Sequence, residues 1–127
     1  MNERIKWIQH KGKRILFVDQ SDIRDEAEAL KLIDAVEKDI LTLPKGHKAL
    51  TLYYSRNSIV TSAISERSKQ LVANINAQGI PTGPSAIVGS AGFQKAVVQM
   101  MQIFIKDLHL ADTIEDAKDW LIAQKVE

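Results

Sequence analysis

The chain has 127 residues, of which 45% are hydrophobic and 26% are charged, and this ordinary globular composition excludes a disordered, collagen-like or coiled-coil protein. Its 17 basic and 16 acidic residues leave a net charge of +1 with the two signs interleaved, which argues against a dedicated nucleic-acid surface. Cysteine is absent, so disulfides, thiolate metal sites and a cysteine nucleophile are excluded.

The N-terminal third of the chain predicts a hairpin followed by a helix. "RIKWIQ" and "RILFVDQ" are short runs rich in β-branched and aromatic residues, and Gly12 between them can take the positive φ of a tight turn. Ser21 and Asp22 then offer helix caps, and apolar residues follow at helical spacing over residues 29–41. We expect this amphipathic helix to end before Pro44, because a proline disfavours the helical conformation of the residue that precedes it.

The rest of the chain alternates short apolar runs with helical patterns. "ALTLYY" and "SAIVG" predict buried strands, "LHLA" offers a further short strand, and a longer helical pattern follows each of them. In the last pattern, Asp112 and Glu115 are spaced as a capping box. This order predicts one α/β domain over residues 1–127, with a mixed sheet of four to five strands, an N-terminal hairpin and four helices.

The stretch "SAIVGSAGFQKAV" raises the question of a phosphate-binding loop. A Walker A loop requires GxxxxGK followed by Ser or Thr, and a dinucleotide fingerprint requires GxGxxG; "GSAG" fits neither pattern. The spacing favours a strand-to-helix turn in which Gly89 ends the strand and Ser90 caps the helix. Because a helix N-terminus is a generic anion site, a phosphate or carboxylate near Ser90 stays open as an alternative.

A second candidate site is the polar segment that follows "ALTLYY". It lies at the carboxyl end of a predicted strand, where open α/β sheets bind ligands. A hydroxyl at a helix N-terminus is also a sensible phosphorylation point, since the added negative charge meets the positive end of the helix dipole. The alternative is that Asn57 or Ser58 only caps the helix. The candidate residues for partner or ligand binding are Ser55, Arg56, Asn57, Ser58, Thr61, Gly89 and Ser90.

The histidines and paired acids indicate no catalytic or metal site. His10, His47 and His109 have no local partners at metal-ligand spacing. Asp19 and Asp22 lie near a predicted helix start, where acids more often cap than catalyse. Without a nucleophile elbow, a Ser-His-Asp triad drawn from these residues would be arbitrary. We therefore expect no enzyme, no metal and no cofactor.

The helix predicted after "SAIVG" is apolar on more than one face. Such breadth indicates either deep burial or an exposed patch that meets a partner, an apolar ligand or a second copy of the chain. Methionine pairs suit adaptable binding surfaces, although filling a core is their commoner use. The residues of this possible groove or homodimer face are Phe93, Val97, Met100, Met101 and Phe104.

Three segments in this order carry a resemblance to a known family: "HKGKRILFVDQSDI", "SAIVGSAGFQKAV" and "TIEDAKDWL". The chain resembles the small bacterial members of the SpoIIAA-like branch of the STAS superfamily, the sulphate transporter and anti-sigma-factor antagonist proteins. The resemblance implies a STAS fold that acts by binding. In the antagonists, a partner kinase phosphorylates a serine in an Asp-Ser-Ser/Thr-Gly-like motif at the start of the second helix, which switches partner binding. Aligned without gaps, Ser62 takes that position, with Thr61 in place of the aspartate and Ile64 in place of the glycine.

These observations lead to one expected function and two alternatives. The expected function is that of a STAS-like domain without enzymatic activity, which engages a protein partner or small ligand in signalling. Because no signal peptide or run of eighteen apolar residues is present, we expect it in the cytoplasm without a membrane span. The alternatives are a carrier of an apolar, lipid-like ligand and a phosphate-ligand binder or hydrolase. A switch needs an exposed Ser62, a carrier needs an enclosed apolar cavity, and a hydrolase needs a base within reach of a serine.

Overall fold

The protein folds as an α/β domain with a five-stranded mixed sheet. The computed structural model describes five segments of the chain, residues 3–46, 49–59, 61–80, 83–88 and 108–124. The elements in these segments are, in chain order, β1 (Ile5–His10), β2 (Lys13–Asp19), α1 (Glu26–Ile40), β3 (Leu50–Tyr54), α2 (Ser62–Ala77), β4 (Ser85–Val88), β5 (Leu108–Ala111) and α3 (Ile114–Ala123). The α/β class and the mixed sheet are confirmed. Three of the four predicted helices are seen, and the remaining one, with Phe93 and Phe104, lies outside the described residues.

The sheet order follows the order of the strands in the chain. β1 pairs antiparallel with β2, and β2, β3, β4 and β5 are parallel neighbours. The predicted hairpin is confirmed: Lys11 and Gly12 both have positive φ, at 50° and 86°. Two such residues in a two-residue loop are the requirement of a type I′ turn, whose twist matches that of the paired strands.

The two faces of the sheet carry two separate apolar cores. Leu16 and Val18 face one side, where they pack with α1 and α2, and Ile15 faces the other side. Ala117 and Leu121 of α3 are fully buried on that second side. Covering on both faces explains why the parallel strands are apolar runs without polar alternation. Among the described residues, each helix is too short or too polar to cross a membrane.

Helix α1 begins later than the capping pattern predicts. Asp25 is the N-cap, and its Oδ2 accepts a hydrogen bond from the backbone N–H of Glu28 at 3.1 Å. The prediction of Ser21 or Asp22 as the cap is wrong, because Asp22 turns the chain with a φ of 60° and the next residue, Ile23, enters the core at 2% exposure. The helix ends at Ile40, before the proline, as predicted.

The caps of the other two helices also differ from the prediction. Thr61 caps α2, so the alternative that Asn57 or Ser58 caps it is wrong. Thr113 caps α3 by accepting a hydrogen bond from the N–H of Asp116 at 3.1 Å, so the box predicted one residue earlier is wrong as well. Both threonines have the extended backbone that lets a side-chain oxygen reach back to the first turn.

Candidate functional site

The carboxyl ends of β2 and β3 carry two loops that are hydrogen-bonded to each other. We call residues 20–26, residues 55–59, Thr61 and Ser62 the carboxyl-edge site. The N–H of Asp22 donates to the carbonyl of Arg56 at 3.0 Å, and the N–H of Ile59 donates to the carbonyl of Ile23 at 3.0 Å. The two loops therefore form one backbone-linked unit beside the start of α2.

Ser55 and Ser58 are used inside this unit. Ser55 is 6% exposed, its N–H donates to the carbonyl of Val88 at 2.7 Å, and its Oγ donates to Oε1 of Gln20 at 2.6 Å. The Oγ of Ser58 donates to the carbonyl of Ser55 at 2.8 Å. The Ser55 hydroxyl links the β3–α2 loop to the end of β2, and the Ser58 hydroxyl closes a turn within the loop, so both contacts are those of structural residues.

Asn57 joins the two loops through its side chain. Its backbone has a φ of 59°, a left-handed conformation that asparagine adopts more readily than most residues. Its Nδ2 donates to Oδ1 of Asp22 at 2.9 Å, and its Oδ1 accepts from the guanidinium of Arg24 at 3.3 Å. All three side chains are on exposed residues, so this contact forms part of the outer surface of the site.

Thr61 connects the starts of the two helices. Its Oγ1 accepts a hydrogen bond from the N–H of Ile64 at 3.3 Å and donates to the carboxylate of Glu26, in the first turn of α1. Ser62 follows as the first residue of α2; it is exposed, and its hydroxyl has no hydrogen bond among the described residues. The first turn of α2 contains no acidic residue.

Arg56 is the most available cation of the site. It is exposed, and its guanidinium has no hydrogen bond or ion pair with any described residue. Arg24 contributes a second cation, while Asp22 and Glu26 contribute carboxylates that are engaged by Asn57 and Thr61. The surface therefore offers unpaired positive charge next to hydroxyl and amide groups.

Two hydroxyls of the site contact carboxylates, and both contacts have structural explanations. The Oγ and the N–H of Ser21 both donate to Oδ1 of Asp19, which forms a local turn, and Thr61 is the cap that also contacts Glu26. Asp19 in addition lies 3.8 Å from the guanidinium of Arg4. A carboxylate that accepts a turn or capping hydrogen bond is a common local motif, so these pairs carry no argument for hydrolysis.

The described histidines lie away from the carboxyl-edge site. His10 contacts Asp119 of α3 at 3.0 Å, and His109 stacks on Trp120 with ring centroids 4.8 Å apart. His47 lies outside the described residues. In the part of the chain that the structure describes, no cluster of three potential metal ligands is found.

The structure brings together five of the seven residues predicted to bind a partner or ligand. Gly89 and Ser90 lie outside the described residues, as does the whole predicted apolar groove with its two methionines. The sequence reasoning missed Gln20 and Glu26 as members of the site. Gln20 directly follows β2, so the rule that parallel strands end at one edge could have identified it once the order of the strands was known.

The chain was compared with protein-family models, with curated proteins and with solved structures, and none of them matches it.

Proposed function

We propose that this chain is a STAS-like domain without enzymatic activity that binds a protein partner through the carboxyl-edge site, with Ser62 as the phosphoacceptor that switches the binding. The observation that carries the proposal is the exposure of Ser62 at the first position of α2, next to a loop held by hydrogen bonds. The resemblance to the anti-sigma-factor antagonists supports the same serine from the sequence alone.

The electrostatics of the first turn of α2 support phosphorylation there. A phosphate carries about −1.5 to −2 charges at neutral pH, and negative charge is stabilised at a helix N-terminus by the dipole and the free N–H groups. Since the first turn of α2 has no carboxylate of its own, this stabilisation is available to a phosphate. The exposed guanidinium of Arg56 on the preceding loop offers a further charge-assisted contact.

The same phosphate would disturb the contact between the two helix starts. Glu26 accepts a hydrogen bond from Thr61, the residue next to Ser62, so a phosphate on Ser62 would place like charges close together. Like charges repel, and the contact between Thr61 and Glu26 is expected to weaken. Phosphorylation would then change both the charge and the shape of the carboxyl-edge site, which is what a partner needs in order to distinguish the two forms.

The contacts of the other polar residues favour binding over chemistry. Ser55, Ser58 and Thr61 are hydrogen-bonded to the protein itself, so their hydroxyls position the loop. Among the candidates that the structure describes, Arg56, Asn57 and Ser62 are exposed. An exposed cation, amide and hydroxyl on a fixed loop suit the polar part of a protein interface.

The experiment compares partner capture by the wild type, Ser62→Asp and Ser65→Asp, using lysate of the native host and quantitative mass spectrometry. Ser65 is a matched control because it lies one turn further along the same helix. We expect at least one protein whose capture changes about tenfold, or about 1.4 kcal/mol, with Ser62→Asp and stays constant with Ser65→Asp. Ser62→Asp should change the free energy of unfolding by no more than about 0.5 kcal/mol, as for other surface substitutions.

Two further readouts decide between the alternatives. Mass spectrometry of the protein from its native host should find phosphate on Ser62. An absent phosphate together with identical capture by all three proteins would refute the switch. A lipid-like molecule that copurifies with the protein and is seen by native mass spectrometry would instead support the apolar-ligand carrier.

A further inference from the structure

A small cavity with three hydroxyl-bearing residues in its wall lies beneath α2. It has a volume of about 30 Å³ and lies between α2 and the inner face of β3 and β4. Thr51 and Tyr53 of β3 and Ser85 of β4 line it, together with apolar side chains of α1 and α2. The cavity is separate from the carboxyl-edge site, because Ser85 begins β4 whereas the site follows the strand ends.

Thr51 is a buried residue, 4% exposed, whose hydroxyl has no hydrogen-bond partner among the described residues. Within the described segments, every side-chain oxygen or nitrogen that is fully shielded from solvent has a hydrogen-bond partner. Because the Thr51 hydroxyl has none, it is not fully shielded and must border open space. The cavity that Thr51 lines is that space.

Ser85 stands directly opposite Thr51 in the parallel pair of β3 and β4. It is also 4% exposed, and among the described residues its hydroxyl makes one hydrogen bond, a long one of 3.3 Å from Oγ to the carbonyl of Gly83. Its oxygen lone pairs are free to accept. The two hydroxyls are therefore neighbours on one wall of the cavity, and both have hydrogen-bonding capacity that the protein does not use.

The size and charge of the cavity limit what it can hold. A water molecule needs roughly 10–15 Å³ of such space and two to four polar partners, so a cavity of about 30 Å³ has room for one or two. The described lining residues carry no charged group, and the Tyr53 phenol, whose pKa is raised to about 12 by burial, is neutral at ordinary pH. An ion would find no compensating charge there, whereas water can donate and accept.

We propose that this cavity is an internal water-binding site, in which one or two water molecules are held by the hydroxyls of Thr51 and Ser85. The bound water satisfies the polar groups of the sheet and bridges them beneath α2. A dry cavity would leave the Thr51 hydroxyl unsatisfied in the core, which costs free energy that a single water removes.

Water ¹⁷O magnetic relaxation dispersion tests the proposal, because it counts long-lived water molecules in solution. We expect the wild type to hold at least one long-lived water molecule. Ser85→Val fills the cavity and Thr51→Val removes one hydroxyl, so each variant should hold at least one water fewer. Thr42→Val is the matched control: Thr42 is exposed after α1, and its Oγ1 donates to the carbonyl of Asp39 at 2.6 Å. Its count should equal that of the wild type.

The proposal is overturned if the wild type holds no long-lived water or if neither cavity variant lowers the count. Circular dichroism establishes that each variant is folded before it is counted. Should both cavity variants fail to fold, a crystal structure of the wild type decides the question. Density for water within about 2.7–3.2 Å of Thr51 Oγ1 and Ser85 Oγ supports the proposal, and an empty cavity refutes it.

Discussion

Asn57 and Asp22 face each other across the two loops of the carboxyl-edge site, both with left-handed backbones, at φ values of 59° and 60°. The side chain of Asn57 donates to that of Asp22 at 2.9 Å, and the N–H of Asp22 donates to the carbonyl of Arg56 at 3.0 Å. These two hydrogen bonds link the left-handed turns at Asp22 and Asn57, and they fix the path of the chain that leads into α2.

Asn57→Ala should destabilise the protein by about 1.5–3.5 kcal/mol. Alanine loses the side-chain hydrogen bonds, worth about 0.5–1.5 kcal/mol, and it adopts a left-handed backbone at a cost of roughly 1–2 kcal/mol. Asn57→Gly is the matched control, because glycine loses the same hydrogen bonds without the backbone strain. Urea denaturation of both variants measures the difference, and an alanine variant as stable as the glycine variant would contradict the left-handed conformation.

The strands and helices follow from local patterns that the sequence displays directly. Gly12 between two β-branched runs predicts the hairpin, and the short apolar runs of residues 50–54 and 85–88 are too short for helices and become the central strands. Such patterns identify elements because each depends on neighbouring residues only.

The helix caps depend instead on tertiary structure. Several capping residue types precede each helix, and the one that is used depends on where the chain leaves the core. Burial of Ile23 delays the start of α1 to Asp25, and the pairing of Asn57 with Asp22 delays α2 to Thr61. Likewise, the position of Gln20 beside Ser55 requires the order of the strands, which no local pattern specifies.

Gly83 packs directly against the backbone of Ala49, and Gly83→Ala should be strongly destabilising. A Cβ at this position would lie 2.1 Å from the carbonyl oxygen of Ala49, a contact that only movement of the backbone can relieve. Overpacking of this kind costs about 1–3 kcal/mol or more. Thermal unfolding followed by circular dichroism measures the loss.

Gly46→Ala is the control for that substitution. Gly46 has a φ of 82°, but no heavy atom of a described residue other than its chain neighbours lies within 4 Å of the position of its Cβ, so only backbone strain of about 1–2 kcal/mol is expected. Gly83→Ala should therefore be the more destabilising of the two. The opposite order would show that the close approach of Gly83 to Ala49 is absent in solution.

Arg67 joins α1 to α2 through a fork of ion pairs, and we expect Arg67→Lys to destabilise the protein by about 1–2 kcal/mol. Its Nε and one terminal nitrogen contact Asp34 at 3.0 and 2.9 Å, and the other terminal nitrogen contacts Glu37 at 3.0 Å. Lysine cannot reproduce this planar fork, and hydrogen bonds to charged groups are worth about 1.5–3 kcal/mol each.

The exposed pair of Lys69 and Glu66 on α2 is the control for the fork. Nζ of Lys69 lies 3.4 Å from Oε1 of Glu66, and the two side chains are 47% and 68% exposed. Lys69→Ala should therefore lower the free energy of unfolding by no more than about 0.5 kcal/mol. A double-mutant cycle of Arg67→Lys with Glu37→Gln, measured by urea denaturation, isolates the coupling between Arg67 and Glu37. A coupling energy near zero would show that the fork does not hold the helices together.

The turn of the N-terminal hairpin contacts α3 through Asp119, and this contact should make stability depend on pH in the acid range. Nε2 of His10 lies 3.0 Å from Oδ1 of Asp119, and Nζ of Lys11 lies 3.6 Å from the same atom. The hydrogen bond with His10, followed by the positive charge of Lys11, lowers the pKa of the Asp119 carboxyl. In the unfolded chain the carboxyl titrates near its usual value of about 3.9.

Because the folded pKa is the lower one, the contribution of Asp119 is present above about pH 3.9 and is lost as pH falls through the folded value. We therefore expect the free energy of unfolding to fall less steeply between about pH 5 and pH 2 in Asp119→Asn than in the wild type. Urea denaturation across this range measures both slopes. Asp112→Asn is the control, because Asp112 is exposed and has no hydrogen bond or ion pair among the described residues, so its slope should follow the wild type. Equal slopes in the wild type and in Asp119→Asn would show that the hairpin and α3 are not coupled through this carboxyl.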